Sequence, residues 1–144
     1  MGILAKGGAM KVSKLMSKNV VVVKMDDPLS KVKDIFDQTE FHHLLVVDNE
    51  ILRGVISDRD LLKSISPKIG TVAATDKDLA SLNRKAHQIM TRKPISLKET
   101  STLKDAVDIF NQNKISCIPI VSEDEKPVGI LSWRDIMREL GRPR

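Results

Sequence analysis

The apolar and polar positions of this chain fall into one pattern that occurs twice. Four valines in a row, Val20 to Val23, predict a buried strand, because β-branched side chains suit extended backbone. Leu29, Val32 and Phe36 then recur at helical spacing. Pro28 falls in the first turn of that helix, where its missing N–H is tolerated. The runs "LLVVD" and "LRGVIS" predict a two-stranded hairpin, and "DRDLLKSI" a closing helix. The second half reads the same way. "PISL" is its strand, and Leu103, Ala106, Val107 and Phe110 are one face of its helix. "IPIVS" and "VGILS" are its hairpin, and "WRDIMREL" is its closing helix.

The two halves align residue by residue. Met16 falls on Met90, Asp34-Ile35-Phe36 on Asp108-Ile109-Phe110, and "HHLLVVD" on "SCIPIVS" at one constant offset. From Gly54 on Gly129 to Asp60 on Asp135 the offset is one residue longer, which places an insertion in the turn "SEDEKP". Each half also opens with a short lead segment, ending in Leu15-Met16 or Ile89-Met90. The predicted organisation is a leader over residues 1–9, a first repeat over 10–65, a connector over 66–84, a second repeat over 85–140 and a tail over 141–144. Ser66-Pro67 stops one helix and Thr75 caps a new one, with Leu79 and Leu82 on one face, so the connector is partly helical. A half of about 55 residues buries its apolar faces poorly alone. The expected fold is therefore α+β: two β-α-β-β-α repeats packed by a pseudo-twofold with their sheets face to face, leaving two equivalent clefts.

Composition narrows the function. The net charge is +5, but basic and acidic residues are interleaved, and the aromatics number only Phe36, Phe41, Phe110 and Trp133. No Lys/Arg block stands beside stacking rings, so nucleic acid is not an expected partner. No apolar run reaches the roughly 20 residues of a membrane span. Cys117 is the single cysteine, which rules out an internal disulfide and fits a reducing cytoplasm. His42 and His43 are adjacent on a predicted strand and point to opposite faces, so they do not chelate one metal ion together. Cys117 lacks an identifiable base, and no phosphate loop or hydrolase motif is present, so the chain is read as no enzyme and as needing no cofactor.

One element recurs with chemistry of its own. "GVISDRD" and "GILSWRD" each run Gly, two apolar residues, Ser, two residues, Asp, then a helical run. Ser-x-x-Asp at that place is close to a capping box, with Ser57 or Ser132 as N-cap and Asp60 or Asp135 at the third helical position. The same junction suits a ligand. A strand feeding a helix N-terminus presents free N–H groups to a phosphate, and a carboxylate one turn in can accept both hydrogen bonds of a ribose diol. The two readings are compatible. Gly54 and Gly129 lead into the final strand, where a missing side chain serves close packing or turn geometry. The motifs differ at one position, where Asp58 replaces Trp133. A carboxylate beside a phosphate repels it, so the second repeat is the better site for polyphosphates.

These segments resemble a tandem pair of CBS domains, over roughly Lys11 to Leu140. The carrying residues are "LMSKNVVVV", "HHLLVVD" and "GVISDRDLL" in the first repeat, and "IMTRKPISL", "SCIPIVS" and "GILSWRDIM" in the second. The resemblance, to stand-alone bacterial pairs, implies a regulatory module that binds an adenosine nucleotide such as AMP, ADP or ATP. It also implies a homodimer whose arrangement biases a regulated partner. By that resemblance Asp60 and Asp135 hold ribose, with Ser57 and Ser132 on the phosphate side; Arg59 and Arg134 either reach the phosphate or point to water in weak surface pairs. Adenine sits against Asn19, Val20 and Val21 in one repeat, and against Pro94 and Ile95 in the other. His43, Leu44 and Leu45, and Cys117, Ile118 and Pro119, close the pockets. Leu45 stands where the second repeat has Pro119, the more usual family residue. The competing expectation is a constitutive dimerisation scaffold whose Ser-x-x-Asp motifs only cap helices.

Overall fold

The structure, a computed structural model, describes residues 10–143, so the expected leader over residues 1–9 lies outside the described residues. Two compact units divide it. One is Val21–Lys93; the other joins residues 10–20 to residues 94–143.

The Val21–Lys93 unit carries a four-stranded sheet in the order β1-β2-β3-β4. Its strands are β1 (Val22–Lys24), β2 (His43–Asp48), β3 (Ile51–Ser57) and β4 (Thr91–Arg92). β1 runs parallel to β2, while β2–β3 and β3–β4 are antiparallel. Helix α1 (Leu29–Gln38) buries Leu29 and Val32 against Val23, Leu44, Val46 and Ile56, and α2 (Asp58–Ser64) adds Leu61. Past the connector helix α3 (Asp76–Ala80), the short α4 (Ala86–Ile89) closes this core with Ala86 and Met90.

The other unit repeats the plan with a three-stranded sheet, β5 (Leu97–Lys98), β6 (Cys117–Val121) and β7 (Pro127–Ser132). Helices α5 (Leu103–Gln112) and α6 (Trp133–Leu140) supply Leu103, Ala106 and Ile136 to a core shared with Ile118, Ile120 and Leu131. Val12, from the 3-10 turn Val12–Lys14 near the start of the chain, is fully buried in this core.

The packed units therefore do not follow the order of the sequence repeats. The lead segment of the first repeat belongs to the core of the second, and the lead of the second to the core of the first. The attachment is the same in both. Val12 N–H donates to the Ser101 carbonyl at 2.8 Å, and Leu103 N–H to that of Met10 at 2.7 Å. Ala86 N–H donates to the Asp27 carbonyl at 2.8 Å, and Leu29 N–H to that of Arg84 at 2.8 Å. These bonds satisfy N–H groups at helix starts, which have no partner within their own helix.

The motif glycines serve this crossing. A Cβ on Gly54 would overlap the Met90 side chain, 2.8 Å from its Cγ. A Cβ on Gly129 would overlap Met16, 2.8 Å from its Cγ and 3.0 Å from the Ser17 carbonyl oxygen. Ser17 and Ile130 exchange main-chain hydrogen bonds of 2.9 and 3.0 Å at that point. Close approach, the first of the two roles expected of these glycines, is the one the backbone requires.

Several local expectations shift by a few residues. The four-valine run pairs only from Val22, and of "PISL" only Leu97 is in a strand, because Pro94 has no N–H to give a ladder. Pro28 stands one place before the first helical residue, as the N-cap, held extended by its antiparallel bridge to Lys85. β4 was not predicted. The connector does restart a helix at Thr75, whose hydroxyl accepts from Asp78 N–H at 3.3 Å. That helix is only five residues long and buries none of them; Leu79 is 48% exposed, so the expected apolar face is not a buried one. The insertion lies in the β6–β7 turn, as expected: residues 122–126 join these strands, whereas Asn49 and Glu50 suffice between β2 and β3.

Because Gly129 faces both a side chain and a main-chain oxygen, Gly129→Ala is expected to destabilise the protein by about 1–3 kcal/mol in urea melts. Met16→Ala in the same chain should recover part of that loss. No recovery would mean that the Ser17 backbone, and not Met16, sets the constraint.

Candidate functional site

Within each unit the register brings three distant segments to one end of a sheet. β1 and β2 are parallel with Val22 beside Leu45, so both begin at the same end. β3 runs back and finishes there, with Ser57 opposite His43. The second unit matches, with Leu97 beside Ile120 and Ser132 opposite Cys117. The helix following each last strand therefore starts beside the first residues of the other two strands. A main-chain bond fastens the junction: Asp58 N–H donates to the His42 carbonyl at 3.0 Å, and Trp133 N–H to that of Ser116 at 3.4 Å.

Both Ser-x-x-Asp motifs form complete capping boxes. Ser57 N–H donates to Asp60 Oδ2 at 2.9 Å and Asp60 N–H to Ser57 Oγ at 3.0 Å. Ser132 N–H donates to Asp135 Oδ2 at 2.9 Å and Asp135 N–H to Ser132 Oγ at 3.2 Å. A carboxylate has two oxygens and about four lone-pair sites, and each cap uses Oδ2. At Asp135, Oδ1 also accepts from Arg138 Nη1 at 3.3 Å. Arg138 is exposed, so that ion pair contributes at most about 1 kcal/mol. The i,i+3 spacing of Asp135 and Arg138 was the available sequence signal for it.

The remaining expected residues divide by face. Leu44 and Ile118 turn into the cores of their own units, and their side chains are engaged there. Strand alternation puts His43 and Leu45, and Cys117 and Pro119, on the opposite sheet faces. Leu45, Cys117 and Pro119 are buried and His43 is half-buried. Arg59, Arg134 and Ile95 are exposed, and Pro94 is half-buried. Asn19 and Val20 belong to the unit containing residues 94–143, whereas Val21 belongs to Val21–Lys93, so these three consecutive residues do not share a unit. Val21 contributes its carbonyl, which accepts from Leu45 N–H at 3.1 Å.

The motif of the Val21–Lys93 unit carries extra charge. Asp58 Oδ2 lies 2.8 Å from His42 Nδ1. Partial burial works to raise the Asp58 pKa, but the hydrogen bond and charge of His42 outweigh it and hold the carboxyl below its ordinary value. Burial pushes His43 below the usual imidazole value; the Asp58 and Asp60 carboxylates oppose that shift and His42 adds to it. In the other unit, burial alone pushes the Cys117 thiol up to about 12. No group of three or more metal-ligating side chains occurs among the described residues, nor does a helix long and apolar enough to cross a membrane.

The family model of the CBS domain matches residues 12–67 and 86–142. The chain belongs to the CBS-domain family and carries two of these domains in tandem. It is 34% identical over 136 residues to the uncharacterized protein MJ1404 of Methanocaldococcus jannaschii, covering 92% of this chain and 28% of that one. It is 27% identical over 135 residues to inosine-5'-monophosphate dehydrogenase of the same organism, covering 93% of this chain and 24% of that one. The chain thus spans about a quarter of the length of these two relatives. Among solved structures it is similar to CBSX2 in complex with AMP, with a TM-score of 0.72 and 25% identity, covering 90% of this chain and 94% of that one.

Two measurements check the electrostatics. A thiol raised from 9.0 to about 12 has roughly 1,000-fold less thiolate near neutral pH, so Cys117 should resist a thiol reagent until urea unfolds the protein. Rapid labelling of the native protein would contradict its burial. Asp58 has a folded pKa below its unfolded one, so its stabilisation is full above the ordinary Asp value of about 4 and is lost as pH falls through the folded value. Asp58→Asn should therefore flatten the acid limb of the stability profile; an unchanged limb would show that the His42 contact contributes nothing in solution.

Proposed function

We propose that this CBS pair is a regulatory module that binds an adenine nucleotide of the AMP, ADP or ATP type and catalyses no reaction. The observation that carries the reading is the pair of strand-to-helix junctions. Each presents a serine hydroxyl and an aspartate with coordination capacity beyond its cap. Its likeness to CBSX2, solved with AMP, supports the same ligand class.

In this reading Asp60 and Asp135 accept from ribose hydroxyls, and Ser57 and Ser132 face the phosphate. Arg59 and Arg134 reach the phosphate from the exposed side. Val20, Val21, Pro94 and Ile95, with the hairpin starts around His43, Leu45, Cys117 and Pro119, contact the base. Asn19, Leu44 and Ile118 contribute main-chain groups. The protein works as a cytoplasmic homodimer. The nucleotide binds one arrangement of the dimer better than another, shifts the population towards it, and so biases a regulated partner.

Calorimetric titration with AMP, ADP and ATP tests this on the wild type, Asp60→Asn and Asp135→Asn. Asparagine keeps the carbonyl oxygen that the cap needs while removing the charge. At the motif that holds the nucleotide, loss of a charge-assisted bond should weaken binding by about 10- to 150-fold, or about 1.5–3 kcal/mol, with little change in melting temperature. If the wild type binds none of the three, the motifs only cap helices and a constitutive scaffold is the better reading.

A further inference from the structure

The two motifs share their geometry and differ in charge at equivalent places. The first six residues of the helix after Ser132 carry Arg134, Asp135 and Arg138. That is two arginines and one carboxylate, and Arg138 contacts that carboxylate directly. The first six after Ser57 carry Asp58, Arg59, Asp60 and Lys63. Here the count of cations is the same and there is one carboxylate more, before any charge on His42 or His43. The Asp58 carboxylate is fixed in place by the His42 ring at 2.8 Å and is part of the first helical turn beside Ser57. At the matching position Trp133 presents a neutral indole, 51% exposed.

A phosphate carried to either junction meets the same kind of serine hydroxyl. What differs is the neighbouring side chain: a fixed anion in one case and an uncharged ring in the other. For unit charges about 6 Å apart, the repulsion corresponds to roughly 3-fold in affinity at the dielectric of water and about 100-fold at an effective dielectric of about 20.

Resting on the nucleotide reading above, we infer that the residue after the motif serine decides which motif takes a phosphorylated ligand. Trp133 admits a nucleoside phosphate at Ser132–Asp135, and Asp58 excludes it from Ser57–Asp60. The selection acts on the phosphate and leaves the nucleoside alone. Adenosine, which lacks the phosphate, is indifferent to this position.

The test is calorimetry on the full chain with two probes, AMP and adenosine, and with four single variants and one double variant. Wild type should bind one AMP per chain, weakened by Asp135→Asn. Trp133→Asp should weaken AMP by about 3- to 100-fold while adenosine stays within about 2-fold, and the AMP deficit should shrink in high salt. An aspartate in the first helical turn suits the helix dipole, so this variant is expected to fold, which a thermal melt checks. Asp58→Asn should open a second AMP site, which Asp60→Asn then removes. The inference is overturned if Trp133→Asp weakens AMP and adenosine equally, or if Asp60→Asn rather than Asp135→Asn abolishes the wild-type AMP site. Wild type binding neither probe overturns the nucleotide reading itself, and this inference with it.

Discussion

The crossing of the two lead segments is the constraint on which the rest of the chain depends. Val12 and Ala86 occupy equivalent places in the sequence repeat, and each is buried in the core built by the other repeat's strands and helices. The main-chain bonds that hold them reach across most of the chain in one case, from Val12 to Ser101, and across more than half a repeat in the other, from Ala86 to Asp27. Closing loops of that length costs conformational entropy, and the return is a complete core in each unit. Neither sequence repeat, cut at its own boundaries, would contain the segment that seals it. The methionine that ends each lead then lies over a glycine of the final strand, where a Cβ would not fit.

That same final strand delivers the motif. The glycine, the apolar pair and the serine succeed one another within a few residues, so the packing that seats the lead segment also sets the position at which the closing helix begins. The capping box makes the junction definite: two reciprocal hydrogen bonds of about 3 Å in each unit tie serine and aspartate together. A binding role has to be built on that arrangement. The aspartate's Oδ2 is already engaged, and what a ligand can use is the remaining capacity of the carboxylate and the hydroxyl.

Two copies of one device need not do one job. The backbones of the two motifs agree down to the bond from the first helical N–H to the loop before the hairpin, yet their side chains differ by one carboxylate. His42 and Asp58 are joined by a hydrogen bond where the second unit has Ser116 and Trp133. On a scaffold this repetitive, charge beside the motif is the natural way to give the units different ligands, since changing the motif itself would also remove a helix cap.

Much of this was legible in the order of residues. Helical and strand periodicities, the caps at Thr75, Ser57 and Ser132 and the insertion in the β6–β7 turn are all local. Each is encoded within about one turn of helix or one strand pair, where spacing dictates which side chains meet. The short extent of β1 and β5, the presence of β4, the His42–Asp58 pair and the burial of Leu44 and Ile118 in their own cores were decided only by the fold, because they depend on which segment arrives alongside. The choice of core for each lead segment is the clearest case. "LM" and "IM" stand before equivalent strands, and the glycines they cover are equivalent too, so the sequence by itself determined that each repeat has one lead and one such glycine, and left open what the lead meets. Which copy it meets is a long-range pairing between near-identical partners, and the tertiary structure settles it through the main-chain bonds that hold each lead against the other repeat's helix.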